Sequence, residues 1–190
     1  HRNAVPSVDF DLSALGYAYG KRLLEMGKRN LLYLRDERPW NFPADGIRKA
    51  YREVGVSLNE KLFLNGVDTL AKVKMIFELG VPGEKRKALL KRLSLPEHLS
   101  PNAMLEVLNA LYSYEDLALV AQQTDFDLGR VFHVCWESVA AKFPVFHGIS
   151  HSYDFTAMAK TAVALLRRQL EEKDRTIHSE LVPLQLHEVG

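Results

Sequence analysis

Two apolar runs with one amphipathic helix between them, in the stretch Pro101 to Glu137, constrain the fold of this chain more than any other feature. The first run, Ala103 to Leu108, stops at Asn109. The second run, Val131 to Trp136, stops at Glu137. This order predicts a β-α-β unit, and ligands bind in the crevice outside the carboxyl ends of such parallel strands. We therefore expect Asn109 and Glu137 at the same edge of a sheet.

The rest of the sequence alternates short apolar runs with helical periodicity, which predicts the α/β class: an open, mostly parallel sheet with helices on both faces. Further strands are predicted at Val8 to Phe10, Leu31 to Leu34, Lys61 to Leu64, Val145 to Ile149 and Glu180 to Val189. Helices are predicted from Asp11 or Ser13 to Gly27, and at Ala44 to Val54, Asp68 to Leu79, Glu84 to Leu93 and Phe155 to Leu170. The segment from Arg35 to Pro43 is predicted to be a loop, because its two prolines and alternating charges break any period.

The charge balance and the single cysteine narrow the class of protein. Lys and Arg total 25 against 24 Asp and Glu, a net charge of +1, which does not supply the basic face that nucleic-acid binding requires. Cys135 excludes an internal disulfide, as is typical of a reducing compartment. No run approaches the roughly 18 apolar residues of a membrane span, and the amino end lacks the pattern of a signal peptide. We therefore expect a cytoplasmic protein without a membrane partner.

Three passages resemble the lactose-repressor and galactose-repressor family of bacterial transcription regulators. VDFDLSALGYAYGKRLLEMGKRNLLYL is similar to the strand, helix, turn and strand of its effector-binding core, with Lys28 where histidine is usual. AMLEVLNALYSYEDLALVAQQ and the later FHVCWES resemble two further strands of that core. FPVFHGISHSYDFTAMAKTAVALLRRQLEE, followed by LVPLQLHEV, resembles its closing helix and strands.

The resemblance implies a periplasmic-binding-protein-like core of two similar lobes. Residues 1–150 would form the carboxyl-terminal, effector-binding lobe, with a helical insertion at about 67–98. In residues 151–190 a helix and a closing strand would return to the first lobe and then come back. The first lobe and the DNA-binding domain would lie outside this chain, so DNA would be contacted only through that absent amino-terminal domain. A small polar effector, such as a sugar or sugar derivative, and a homodimer are the implied partners.

The family's ligand-binding positions fall on four residues of this chain. Glu137 matches an aspartate that binds ligand, and Asn109 matches an asparagine of the cleft. Phe10 matches a pocket-lining position, and His151 matches a position that is often glutamine. Each also has a simpler reading, since a loop carboxylate is commonly solvated and a phenylalanine after a strand is commonly core. These four residues are the first part of the predicted site.

Three more candidates come from the residues themselves. Trp40 and Trp136 could stack on the apolar face of a sugar or on a nucleobase, where a flat ring adds contact area with little loss of entropy. Arg38 could reach the site from the loop that holds Trp40, because Pro43 stands where the family often has a ligand-binding arginine. Ala110 likewise replaces the aspartate that usually follows the family's asparagine. These departures leave an ordinary sugar effector open to question.

Metal and nucleophile chemistry are not expected. His147 and His151 are four residues apart, which along a strand is about 13 Å and too far for one ion. His133 lies on the neighbouring predicted strand, and Cys135 is predicted to be buried rather than reactive. The sequence contains no phosphate-cradling glycine loop, zinc spacing or serine-nucleophile elbow. We therefore expect no metal, no cofactor and no enzyme.

Two other functions remain open at this stage. The chain could be a lobe kept mainly for dimerisation or docking, with a decayed pocket filled by apolar side chains. It could also be a small α/β enzyme that uses Glu137, Asp11 or a histidine as an acid or base. The basic helix from Gly83 to Leu93 is interpreted as a solvated face, because its leucines form one apolar stripe opposite the charges.

Overall fold

The computed structural model describes residues 7–29, 31, 33–35, 42–60, 63–65, 69–98, 114–127, 133–142, 148–171 and 179–189. All structural statements below concern these residues. Nothing is described of the predicted strand at 103–108, which lies outside them.

Strands and helices alternate along most of the described chain. They are β1 Ser7–Phe10, α1 Leu12–Glu25, β2 Tyr33–Arg35, α2 Phe42–Glu53, β3 Phe63–Asn65, α3 Thr69–Gly80, α4 Glu84–Arg92, α5 Tyr114–Thr124, β4 His133–Trp136, α6 Glu137–Ala140, β5 Gly148–Ser152, α7 Phe155–Glu171, β6 Ser179–Val182 and β7 Gln185–Val189. The predicted α/β class, with helices on both sides of a mostly parallel sheet, is confirmed.

Three of the four strand pairings are parallel. β1 pairs with β6, β2 with β3, and β4 with β5, all in parallel. β7 runs antiparallel to β5 and adds an edge to that sheet. A parallel pair needs a long connection between its strands, and at least one helix lies between the members of each pair along the chain.

Helix α1 begins and ends where the local sequence predicts. The carboxylate of Asp11 accepts a hydrogen bond from the amide of Ala14 at 2.8 Å, which satisfies one of the amides left open at a helix start. Gly27 follows the helix with φ +74°, a conformation that residues with a Cβ rarely adopt. Leu15, Tyr19 and Leu23 are buried on one face, as their spacing predicts.

Close contact between α1 and α2 organises the larger core. A methyl group at Gly16 would overlap the backbone of Pro43, and one at Gly46 would overlap the carbonyl oxygen of Ser13. The two helices can therefore approach only because these positions lack a Cβ. Buried residues of both helices, of β3, β4 and β5, and Leu31 before β2 form one cluster: Leu15, Tyr19, Leu23, Leu31, Ala44, Ile47, Tyr51, Phe63, Val134 and Ile149.

Three predicted boundaries are wrong. Helix α2 begins at Phe42 rather than Ala44, since proline is well tolerated in the first turn of a helix, where its missing N–H leaves no hydrogen bond unmade. The last parallel strand runs to Ser152, beyond the predicted end at Ile149, and the predicted residues 145–147 lie outside the described part of the chain. A single closing strand was predicted at Glu180 to Val189, but the structure has two strands there, separated by Pro183 and Leu184. These two strands pair with different neighbours.

A smaller unit consists of β1, β6 and α7. These elements contact one another, and no other element of the described chain packs extensively against any of them. Within the predicted apolar face of α7, Leu165 is buried at 4% exposure. The helix also carries an exposed apolar stripe of Phe155, Val163, Leu166 and Leu170, at 56–71% exposure. This stripe is an apolar surface with no cover among the described residues.

Candidate functional site

The carboxyl ends of β1, β4 and β5 carry four of the predicted site residues. Phe10 ends β1, and Trp136 ends β4 with Glu137 directly after it. In the parallel pairing of β4 with β5, Trp136 lies opposite His151, so Glu137 follows at the level of Ser152. The register therefore brings Trp136, Glu137 and His151 to one edge of this sheet.

Glu137 is the first residue of the short helix α6 and not a loop residue. A carboxylate in the first turn of a helix is favoured by the exposed amides there. Its side chain is exposed, and α6 contacts β5. Glu137 therefore presents a solvent-accessible acceptor beside the end of β5.

His151 is buried, with 5% exposure. Its Nδ1 and the hydroxyl of Tyr19 are 2.5 Å apart, and the tautomer of the ring decides which group donates. The rings of Tyr19 and His151 meet edge to face with centroids 6.0 Å apart. This contact ties β5 to α1 through the core and leaves little of the His151 side chain accessible to a ligand.

Phe10 is also largely buried, with 9% exposure. Its ring meets Tyr153 at 4.6 Å and Phe155 at 5.5 Å, both edge to face. Such pairs contribute about 0.5–1.5 kcal/mol beyond the burial of their area. Phe10 therefore packs within an aromatic cluster at the carboxyl edge and does not line an open cleft.

Tyr153 is the residue that sequence reasoning missed. It follows β5, is half-buried, and its ring contacts both Phe10 and His151, the latter at 5.4 Å. The signal was the alternation of rings at 151, 153 and 155. In an extended segment such alternation would place the three rings on one side, although in the structure Phe155 already begins α7.

The remaining predicted site residues cannot be located. Arg38, Trp40 and Asn109 lie outside the described residues, as does the side chain of Trp136. The proximity of Asn109 to Glu137 therefore stays a prediction.

Two pKa shifts occur away from this edge. The hydroxyl of Tyr17 donates to Glu53 at 2.5 Å, and this hydrogen bond raises the pKa of Tyr17 above its ordinary value. The guanidinium of Arg48 donates to Glu60 at 2.8 and 2.9 Å, which raises the pKa of Arg48.

A shallow surface pocket of about 300 Å³ near the end of α2 is lined by Arg48, Glu60 and Arg52. The charge of Arg48 there is already neutralised by Glu60 and Asp45.

Neither a metal cluster nor a membrane helix occurs in the described part of the chain. No group of three or more His, Cys, Asp and Glu side chains there could hold an ion. Among the described helices, none combines the length and apolar composition that crossing a bilayer requires.

The structure is similar to solved structures of sugar-bound transcription regulators. It matches the transcriptional regulator CelR in its cellobiose complex with a TM-score of 0.63 and 18% identity, over 100% of this chain and 55% of that chain. It matches a LacI family transcriptional regulator from Enterococcus faecium with bound ribose with a TM-score of 0.59 and 13% identity, over 99% of this chain and 65% of the other.

A third match is the periplasmic binding protein/LacI transcriptional regulator from Alkaliphilus metalliredigens complexed with D-xylulofuranose, with a TM-score of 0.58 and 13% identity, over 97% of this chain and 65% of the other. The chain has the fold of LacI-type regulators. It spans 55–65% of the length of these three structures. The LacI-type fold was expected from the sequence resemblance, although no family model and no curated protein matches the sequence.

Proposed function

We propose that this chain is the ligand-sensing part of a bacterial transcriptional regulator that binds a small polar effector, such as a sugar or sugar derivative. The observation that supports the proposal most is the LacI-type fold over nearly the whole chain, shared with three regulators whose structures contain cellobiose, ribose and D-xylulofuranose. The effector would shift the arrangement of the lobes by binding one arrangement more tightly than another.

The proposed effector site lies at the carboxyl edge described above. Exposed Glu137 would accept hydrogen bonds from hydroxyl groups, as a carboxylate at the rim of an α/β sheet can. Phe10 and His151, both largely buried, would contribute to the floor of the site. Arg38, Trp40, Asn109 and the side chain of Trp136 complete the predicted set.

The apolar stripe on α7 supports the proposed domain arrangement. In the proposed protein, α7 and β6 of the segment 151–190 would join a first lobe together with β1, β7 would return to the lobe formed by β5 and the rest of residues 1–150, and 67–98 would be an insertion. The stripe formed by Phe155, Val163, Leu166 and Leu170 would then face apolar groups of that first lobe instead of solvent. DNA binding, dimerisation and a cytoplasmic location belong to the same proposal.

Titration calorimetry of the full-length protein against a panel of sugars tests the proposal. With a sugar that binds, Glu137→Gln should weaken the affinity by about tenfold or more, since hydrogen bonds to a charged group are worth about 1.5–3 kcal/mol. Glu25→Gln is the matched control, because α1 starts at the carboxyl edge and runs about 20 Å away from it. An intact protein that responds to no sugar, or equal losses in both variants, would contradict the proposed site.

The burial of two predicted site residues at the carboxyl edge favours a second candidate function. This function is a docking or dimerisation lobe whose pocket is filled by side chains. Phe10 and His151 were predicted to line a cleft, and both are covered by neighbouring rings. A stable symmetric dimer that shows no thermal shift with any sugar would favour this second function.

A further inference from the structure

The two units of the described chain are joined by three short links. Asp11 alone separates β1 from α1, Tyr153 and Asp154 separate β5 from α7, and Pro183 and Leu184 separate β6 from β7. One unit is β1, β6 and α7, whereas α1, β5 and β7 belong to the larger unit. The amide of Asp11, in the first link, donates a hydrogen bond to the carbonyl of Val182 at the end of β6, 2.9 Å long.

Aromatic rings are paired on each side of this joint. In the smaller unit, Phe10 of β1 and Phe155 of α7 meet edge to face at 5.5 Å. In the larger unit, Tyr19 of α1 and His151 of β5 meet edge to face and share a hydrogen bond. Because Tyr19 and His151 are 4% and 5% exposed, this pair is fixed in the core.

The ring of Tyr153, in the middle link, contacts both pairs. It lies 4.6 Å from Phe10, 5.8 Å from Phe155 and 5.4 Å from His151. Among the rings that the structure describes, no other touches both units. A rotation of one unit against the other must therefore change the packing of Tyr153 on at least one side.

We propose that Tyr153 acts as an aromatic latch that holds the two units in the observed arrangement. Rotation about the three links separates its ring from Phe10 and Phe155 or from His151. Each ring pair lost changes the equilibrium between arrangements by about two- to tenfold. The latch rests on the proposed function only for its purpose. Its strength would set how much of the effector's binding free energy is needed to move the lobes.

Distances between spin labels at Arg52 on α2 and Lys160 on α7 test the latch. Both positions are exposed, and the labels are placed in the full-length protein without effector and without other reactive cysteines. Tyr153→Leu should broaden the distance distribution or move it, whereas Tyr153→Phe, which keeps the ring, should leave it unchanged. An unchanged distribution in Tyr153→Leu overturns the proposal.

A matched control separates the latch from a general loss of stability. Phe126→Leu removes a ring from the stacked Phe77 and Phe126 pair, 4.5 Å apart, which lies away from the joint. A shift of equal size in Phe126→Leu would overturn the latch. If Tyr153→Leu does not fold, Phe155→Leu gives the same test, since Phe155 is 66% exposed and its loss leaves no buried cavity. Because no effector is present, the result is independent of whether the proposed effector binds.

Discussion

The glycine at position 46 determines how closely helices α1 and α2 can pack. Its Cα lies against the carbonyl oxygen of Ser13 and the backbone of Gly16, where any side chain would collide with main-chain atoms. Main-chain atoms of a helix cannot rotate away as a flexible side chain can. Helices α1 and α2 would have to separate to admit even a methyl group, although alanine is the better helix former.

Gly46→Ala should therefore destabilise the protein despite its favourable helix propensity. Overpacking of this kind costs about 1–3 kcal/mol or more. Urea denaturation measures the loss, with Arg52→Ala on the exposed side of the same helix as the control. Equal stability of Gly46→Ala and the parent would mean that α1 and α2 are not in close contact.

Tyr19 and Tyr17 allow a matched comparison on one helix. The Tyr19 hydroxyl is buried against His151, whereas the Tyr17 hydroxyl donates to Glu53 at the surface. Tyr19→Phe should lower the free energy of unfolding by about 1 kcal/mol, since a buried polar partner loses a hydrogen bond. Tyr17→Phe should change it less, because water replaces the exposed contact. A larger loss in Tyr17→Phe would contradict the buried contact.

Helix α7 packs against β1 and β6 and still leaves an apolar stripe exposed. Leu165 packs inward, whereas Leu166 and Leu170 are 56% and 71% exposed. Leu181 of β6, at 60% exposure, adds to the apolar surface of the same unit. An exposed apolar stripe of the kind on α7 is typical of surfaces that contact another protein.

In the 190-residue chain by itself, Leu170→Glu should reduce concentration-dependent self-association, which sedimentation velocity measures. The charge prevents burial of the stripe against a second apolar surface. Ala164→Glu adds the same charge at an exposed position on the other side of the helix and should have little effect. Self-association that persists unchanged in Leu170→Glu would mean that another surface is responsible.

At the scale of the whole molecule, the sequence predicts elements better than it predicts their partners. Helices α3 and α4 lie within a residue or two of their predicted ends, because the spacing of apolar residues and the glycines between them are local signals. The split of the closing segment into β6 and β7 depends on pairing with β1 and β5, which are distant in sequence. No local pattern carries that information.

For the site residues, too, a local sequence signal allowed a prediction, whereas contacts between distant residues did not. Glu137 was predicted at a strand end and lies there, because a polar residue directly after an apolar run is visible in the sequence. Core burial was the alternative left open for Phe10, whereas the burial of His151 was not predicted, since it depends on Tyr19 of α1 and on Tyr153 after β5. Tyr153 was overlooked because its importance depends on rings that come together only in the fold.

Residues 179–189 contribute to both units, because they form β6, which pairs with β1, and β7, which pairs with β5. They supply one strand to each unit, and the turn at Pro183 carries the chain from one to the other. Deletion of residues 179–189 would therefore damage both units at once, although the segment is short.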